Sequence, residues 1–374
     1  MVIAVNTRFL LNDYLEGYGY FIHECLKRIT AAHPEHRFVF IFDRPYNVQF
    51  IYTDNITPLV VGPQARHPLL WKWWYDVKIP AVLRKYKADV FISPDGHCSL
   101  KTKVPQCMVI HDLAFLHHPL FIKRSHLRYY NKNTPRFIKK ASVIATVSRF
   151  SKKDIIQQYE INPAKIDIVY SAAKEIFQPV SIQDREVVKN KFTNGKEFFL
   201  YVGAIHPRKN LKNLLKGFSR FKKRLQSSIK LVLVGRLAWK YDSFLEELKT
   251  YKYRQDVILT GYIDDAELAQ VMGAAYALVY LSYFEGFGVP VLEAMQCGVP
   301  VITTEGSSMQ EIAGEAALYA DPGDPASIGE KMMEVYRNET GRAAMIEKGI
   351  EKAQQFNWDK TAELLWQSIC KCKS

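Results

Sequence analysis

Cysteine is the first scarcity in this 374-residue chain. There are six, at 25, 98, 107, 297, 370 and 372, and none forms a C-x-x-C pair. The two in the tail have no histidine beside them to complete a metal site. A disulfide scaffold is thereby excluded, and a reduced, cytoplasmic protein is expected. Long apolar runs are missing too. None approaches the roughly 18 residues that a membrane helix needs. The opening "MVIAVNTRFL" has neither the basic start nor the cleavage site of a secretory leader, and it is expected to be a first buried strand. Low-complexity segments are also absent.

What is there is globular. Apolar residues make up 48% and charged residues 24% of the chain, and its length suits two domains with a core each. The net charge is +13 and unevenly placed. Residues 1–178 hold 25 basic and 14 acidic side chains, a net +11, while residues 179–374 hold 26 and 24, a net +2. A basic first half suits nucleic acid, an anionic membrane or a phosphorylated acceptor, and equally a merely solubilising surface.

In the second half, short β-rich runs alternate with helical ones. "FFLYVGAI", "IKLVLVG", "DVILTGYI", "AYALVYLS", "VPVITT" and "AALYA" read as strands. "NLKNLLKGFSRFKKRL", "DSFLEELKTYK", "DAELAQVMGAA" and "VPVLEAMQCG" read as helices. Strands apolar on both faces belong in a parallel sheet, and the alternation indicates a doubly wound domain. The first half repeats this with strands at "MVIAV", "RFVFIF", "ADVFIS", "QCMVIH" and "SVIATVS", and helices at 19–32, 69–86, 122–140 and 149–159. The polar stretch 178–197 is expected to be a linker. The α/β chain is thus expected as an N-terminal domain over 1–178, a linker and C-terminal domain over 179–356, and an amphipathic helix over 357–374. Ligands of such sheets lie beyond the carboxyl ends of the strands, so two of them would bind two ligands face to face across a cleft.

Chemistry-bearing residues gather at those ends. After the strand ending at Gly203, Arg208 and Lys209 precede a helix opened by Asn210. Two cations beside a helix N-terminus suit an anion, phosphate above all, although solvated charges would look the same. Further on, "YFEGFGVPVLEAMQCGVPVITT" holds Glu285 and Glu293 around a turn with Gly286, Gly288 and Pro290. The glycines allow close backbone approach, and Pro is tolerated in a first helical turn. A loop carboxylate and an acid near a helix start are each ordinary, but neither explains why both flank a tight apolar turn. In the first half His111 and Asp112 end a strand. His117 and His118 look like plain loop residues. Gly17 and Gly19 precede the first helix, though a lone G-x-G is no dinucleotide fingerprint. No D-x-D occurs, so the usual carboxylate pair for a metal on a diphosphate is missing and no metal or other cofactor is expected.

Together these segments resemble retaining glycosyltransferase family 4, with its two-domain GT-B fold. Glu285 and Glu293 meet the family's E-x7-E motif, and "GAIHPRKNL" resembles its diphosphate loop. "HDLAFLHHP", "ATVSRFSKKDI", "SSMQEIAGEAALYADPGD" and "FNWDKTAELL" are similar to further family segments, so the likeness spans nearly the whole chain. "GYGYF" lacks the Arg of the more usual G-I-G-R-Y, and Gln310 stands where Pro is common.

The resemblance implies two Rossmann-like domains facing a cleft, with the last helix returning to the first domain. It implies a nucleotide-diphospho-sugar donor held by the second domain. Glu293 would bind the ribose, Arg208 and Lys209 the diphosphate, and Glu285 with the backbone at Phe287 and Gly288 the sugar hydroxyls. His111 would approach the sugar, and backbone near Tyr262 the base. Gly19, Gly203, Val289 and Leu292 would complete the donor site. Transfer would retain configuration, with the cations stabilising the leaving phosphate. "HDLAFLHHP" resembles segments of mannosyl- and rhamnosyltransferases, so a hexose such as mannose is expected, moved to a glycan or lipid-linked saccharide in polysaccharide synthesis. A sugar-nucleotide 2-epimerase shares the fold and is the alternative enzyme. A basic binding protein for membrane or nucleic acid is the alternative of another class, although no RNA-binding or helix-turn-helix signature is present, and nucleic acid is not expected as a partner. The segment 67–87, with Trp71, Trp73, Trp74 and Tyr75 among basic residues, suits the inner face of the cell membrane, while packing on the sheet would also account for its aromatics.

Overall fold

The computed structural model describes residues 1–11, 15, 17–238 and 241–373. The chain forms two units: residues 1–171 together with 357–374, and residues 172–356.

The first unit is built on a seven-stranded sheet in the order β3-β2-β1-β4-β5-β6-β7. Its strands are β1 Val2–Asn6, β2 Arg37–Phe42, β3 Ile56–Val60, β4 Val90–Ser93, β5 Gln106–Ile110, β6 Val143–Thr146 and β7 Ile166–Ile168. All pairings are parallel. Two of these strands escape a sequence reading. β3 carries Pro58, which cannot donate to a ladder, and it survives because it is an edge strand. β7 is three residues long and lies at the other edge. The helix Gly17–Ala32 includes both glycines of "GYGYF" in its first turn. A Cβ on Gly19 would come 2.5 Å from the Phe9 carbonyl oxygen, so close packing explains that glycine without a ligand. The segment 68–85 runs as helix Pro68–Trp73, a wider π turn Trp74–Lys78, and helix Ile79–Lys85. Pro80 has no N–H for the carbonyl four residues back, and the helix opens just before it. Trp71, Trp74 and Tyr75 turn into the core, whereas Trp73 does not.

The second unit holds six parallel strands in the order β10-β9-β8-β11-β12-β13. They are β8 Phe198–Val202, β9 Lys230–Val234, β10 Val257–Gly261, β11 Ala277–Tyr280, β12 Val301–Thr304 and β13 Ala317–Ala320. All six match the apolar runs of the sequence. The stretch expected to be a linker is instead largely the helix Ile182–Thr193, capped by Ser181 and packed on the helix Asp265–Ala274. Only Val188 and Thr193 of that helix are buried, so it shows no broad apolar stripe to read. The last helix, Trp358–Lys371, lies against Gly17–Ala32 and β6 and belongs to the first unit.

Candidate active site

The site in the second unit begins where β8 ends. Gly203 sits at φ +142°, and a Cβ there would meet the Tyr201 hydroxyl at 3.0 Å and the Lys209 stem at 3.9 Å. The chain then turns through Pro207–Lys209, capped by His206, whose Nδ1 accepts from the Arg208 N–H at 3.2 Å. Asn210 follows at φ +61°. It stands at the start of the helix Leu211–Leu225 but does not cap it, contrary to its residue type. The left-handed backbone turns its amide away, to donate to the carbonyls of Leu281 at 3.1 Å and Pro322 at 2.7 Å. Asn210 thus ties the cationic turn to the end of β11.

That tie sets the central constellation. Lys209 Nζ lies 2.5 Å from Glu285 Oε1, and Arg208 Nη1 lies 3.1 Å from Glu285 Oε2. Arg208 also donates to the Phe284 carbonyl. Tyr280, the last residue of β11, joins them. Lys209 donates to its hydroxyl at 2.5 Å, and the hydroxyl donates to Glu285 Oε1 at 3.2 Å. Burial alone would push the Glu285 carboxyl up, but Arg208 and Lys209 outweigh it and hold it down at about 2. Two cations thus converge on one carboxylate.

Behind Glu285 the backbone is fixed. Ser308 Oγ donates to the Glu285 carbonyl at 2.7 Å. Gly288 takes φ +96° and opens the helix Val289–Gln296, with Pro290 in its first turn. Phe287 is buried, its ring 5.8 Å from that of Phe356. Leu292 is fully buried, backbone included, and so supports the site from within the core. Glu293 is buried in the same helix, with no side-chain hydrogen bond among the described residues. Burial raises its carboxyl to about 7, with Lys174 pulling it down and Asp265 pushing it up. One motif thus holds two carboxyls in opposite states. Glu285 is firmly ionised, and Glu293 is poised to take or lose a proton near neutrality.

The other residues singled out in the sequence stand elsewhere. Tyr262 is exposed just beyond the edge strand β10, two strands from β8. Gly19 and His111 belong to the first unit. His111 follows β5 and helps to line a cavity of about 180 Å³ with Tyr18, Asp95, Asp112, Tyr130 and Thr134. Its Nε2 lies 3.1 Å from the Pro94 carbonyl, which only accepts, so Nε2 carries the proton. Burial lowers its pKa to about 4, against the pull of Asp112. The ring is neutral at pH 7, with Nδ1 left as an acceptor, the state needed to receive a hydroxyl. His117 is not a plain loop residue: it ends the short helix Ala114–His117, and its ring lies 2.9 Å from Asp154. The buried pair Arg8–Asp95, at 2.8 Å with Tyr75 also donating to Asp95, carried no signal in the sequence because its members are 87 positions apart. Tyr280 was hidden inside an apolar strand run.

The two parallel sheets are those of the GT-B glycosyltransferase fold. The Anabaena HepE protein, solved in complex with UDP-glucose, superposes with a TM-score of 0.75 at 16% identity, covering 99% of each chain. Residues 182–352 match the family model described as "Glycosyl transferases group 1", and residues 17–173 match "Glycosyltransferase Family 4". Each model matches a little under half of the chain, and together they show it to be a glycosyltransferase. Among its relatives, the O-antigen chain mannosyltransferase B of Escherichia coli is 29% identical over 80% of this chain and 77% of its own length. The O-antigen chain mannosyltransferase RfbU of Salmonella typhimurium is 28% identical over 74% of this chain and 73% of its own.

Proposed function

We propose that this enzyme transfers a mannosyl unit, with retention, from a nucleotide-diphospho-mannose to a growing surface glycan. The single observation that carries the donor class is the convergence of two cations, Arg208 and Lys209, on Glu285 beside the glycine turn. Two half-buried cations brought to one point suit a diphosphate, whose oxygens can accept from both. On binding, Arg208 and Lys209 turn toward the phosphates. Glu285, released from them, accepts hydrogen bonds from sugar hydroxyls. Glu293 in its ionised form accepts both ribose hydroxyls. The mannosyl assignment and the glycan acceptor rest on the relatives named O-antigen mannosyltransferases.

In the reaction the bond from the anomeric carbon to the diphosphate breaks, and the electron pair leaves with the phosphate oxygen. The acceptor hydroxyl attacks from the same face, and its proton passes to the departing phosphate. The negative charge that grows there is met by Arg208, Lys209 and the N-terminal end of the helix Val289–Gln296. Fixed cations reorganise little during the step, so this chemistry needs no divalent ion.

The test is a donor screen on the full chain. GDP-, UDP-, dTDP- and ADP-sugars are compared for binding and slow hydrolysis, each with and without EDTA. The expected result is selective turnover of one mannosyl donor, unchanged by EDTA, with transferred mannose keeping the donor's anomeric configuration by NMR. A new sugar nucleotide formed from donor alone would replace this reading with epimerisation. Loss of turnover in EDTA, restored by added metal, would overturn metal independence.

A further inference from the structure

The donor chemistry leaves a buried charge pair of the first unit unused. Arg8 stands two residues beyond β1, and Asp95 two residues beyond β4, the neighbouring strand. Their side chains are 6% and 1% exposed. Arg8 Nε and Nη2 donate to Asp95 Oδ2 at 3.0 and 2.8 Å. The hydroxyls of Tyr75 and Ser93 donate to the same carboxylate, each at 2.8 Å. A buried pair of this kind is weak evidence for stability, because apolar groups of similar volume often serve as well or better. Its place in the fold points to another role.

Asp95 and Gly96 border the cavity that His111 lines. Asp95 is held twice, through its carboxylate and through its carbonyl, which accepts from His97 Nδ1 at 2.8 Å. The pyrrolidine ring of Pro94 fixes its own φ. The peptide group between Pro94 and Asp95 therefore has little freedom. Its oxygen, the Pro94 carbonyl, meets His111 Nε2 at 3.1 Å. That contact decides which imidazole nitrogen carries the proton. Other contacts secure the rest of His111. Ser151 Oγ donates to its carbonyl at 3.2 Å, and Thr146 Oγ1 to that of Ile110 at 2.7 Å. The rings of Tyr18 and Phe21 pack 4.4 and 5.2 Å from the imidazole centre. These contacts place the ring but do not choose between its nitrogens.

We propose that Arg8 and Asp95 are positioning residues for the transfer: they aim the Pro94 carbonyl, which keeps His111 in its Nε2–H tautomer with Nδ1 as the acceptor for a substrate hydroxyl. Without the pair the carbonyl is free to turn. The Nδ1–H tautomer then competes, and it presents a donor where an acceptor is needed. The consequence for turnover rests on the transferase reading above, whereas the effect on the tautomer does not.

Asp95→Asn strands a buried cation and is expected to unfold the first unit. The informative variant is the double change Arg8→Met with Asp95→Leu, which replaces the pair by apolar groups. The Tyr75 hydroxyl then keeps the Ser93 hydroxyl as a partner, 3.1 Å away. Two measurements are made on the full chain. NMR of labelled imidazole nitrogens at pH 7, with His111→Gln identifying the signal, should show the Nε2–H form alone in the wild type and a mixture in the double variant. Turnover of the mannosyl donor should fall about tenfold in kcat/KM, the worth of one hydrogen bond, while binding of GDP and UDP stays at the wild-type level. A merely structural pair would move neither the tautomer nor the turnover of a variant that folds. The proposal is overturned by a double variant that keeps the Nε2–H form alone, or by one that shows the mixture and still turns over like wild type. A wild type that turns over no sugar nucleotide would sink the transferase reading, and the spectra would still decide whether the pair sets the tautomer.

Discussion

Glu285 and Glu293 are alike in the sequence and opposite in the fold. The difference lies in who faces each. Glu285 has two cations within hydrogen-bond reach, whereas Glu293 has only the more remote charges of Lys174 and Asp265. For Glu293 the folded pKa, about 7, lies above the ordinary 4.5. The folded state keeps a proton that the unfolded chain has lost, so stability falls as pH rises between those values, by about 3 kcal/mol. Glu285 behaves oppositely, and its contribution is lost as pH falls from about 4.5 toward 2. Urea midpoints measured from pH 5 to 8 should therefore decline for the wild type and stay level for Glu293→Gln. The same proton bears on the ligand. A ribose diol donates to a carboxylate, so nucleotide binding should weaken roughly tenfold per pH unit below about 7 and should release a proton near neutrality. Calorimetry in buffers of different ionisation enthalpy measures that release, and an affinity flat from pH 6 to 8 would remove Glu293 from the donor site. For Arg208→Ala and Lys209→Ala the expected loss is about 100- to 1000-fold in kcat, typical of a lost transition-state donor. Turnover close to wild type in both would sink the proposed role of the cluster.

At the scale of elements, a turn aims the helix that carries Glu293. Gly288 holds φ +96°, and a Cβ there would come 2.6 Å from Met309 Cγ. Gly288→Ala therefore meets two obstacles, backbone strain of about 1–2 kcal/mol and a side chain that must move. It is expected to destabilise by about 2–3 kcal/mol in thermal unfolding and to weaken nucleotide binding. Pairing it with Met309→Ala should recover only part, because the backbone strain stays. Full recovery would show that crowding alone fixes the turn. Such turn and strand signals are what sequence carries well. The six strands of the second unit are legible because each is a short apolar run, four of them buried on both faces, and the E-x7-E turn because glycine, proline and carboxylates sit at fixed offsets. Pairings between distant segments are another matter. Asn210 reads as a cap because residue type says so, yet its amide is used on Leu281 and Pro322. Tyr280 reads as strand filling because nothing local shows that its hydroxyl ends between Lys209 and Glu285.

For the whole molecule, the chain order and the folding units do not coincide. The first unit runs to Ser171 and is completed only by residues 357–374. Those last residues are structural. Trp358, Leu365 and Ile369 are buried, and Thr361 Oγ1 donates to the Tyr170 carbonyl at 2.7 Å. Lys371 pairs with Asp167 at 2.7 Å, and Arg28 with Asp359 at 2.7 Å. Burying three large apolar side chains contributes about 1.5–3 kcal/mol each, a sum comparable with the 5–15 kcal/mol by which a typical domain is stable. Ending the chain at Phe356 strips that burial from the first unit and leaves its helix Gly17–Ala32 with an uncovered apolar face. The second unit, by contrast, loses none of its own sheet or core residues. Limited proteolysis of the truncated chain should therefore digest residues 1–171 early and leave a resistant fragment near 172–356, identified by mass spectrometry. A truncated chain whose first unit resists protease as well as that of the full chain would mean that the last helix is an accessory to the first unit and not part of its core.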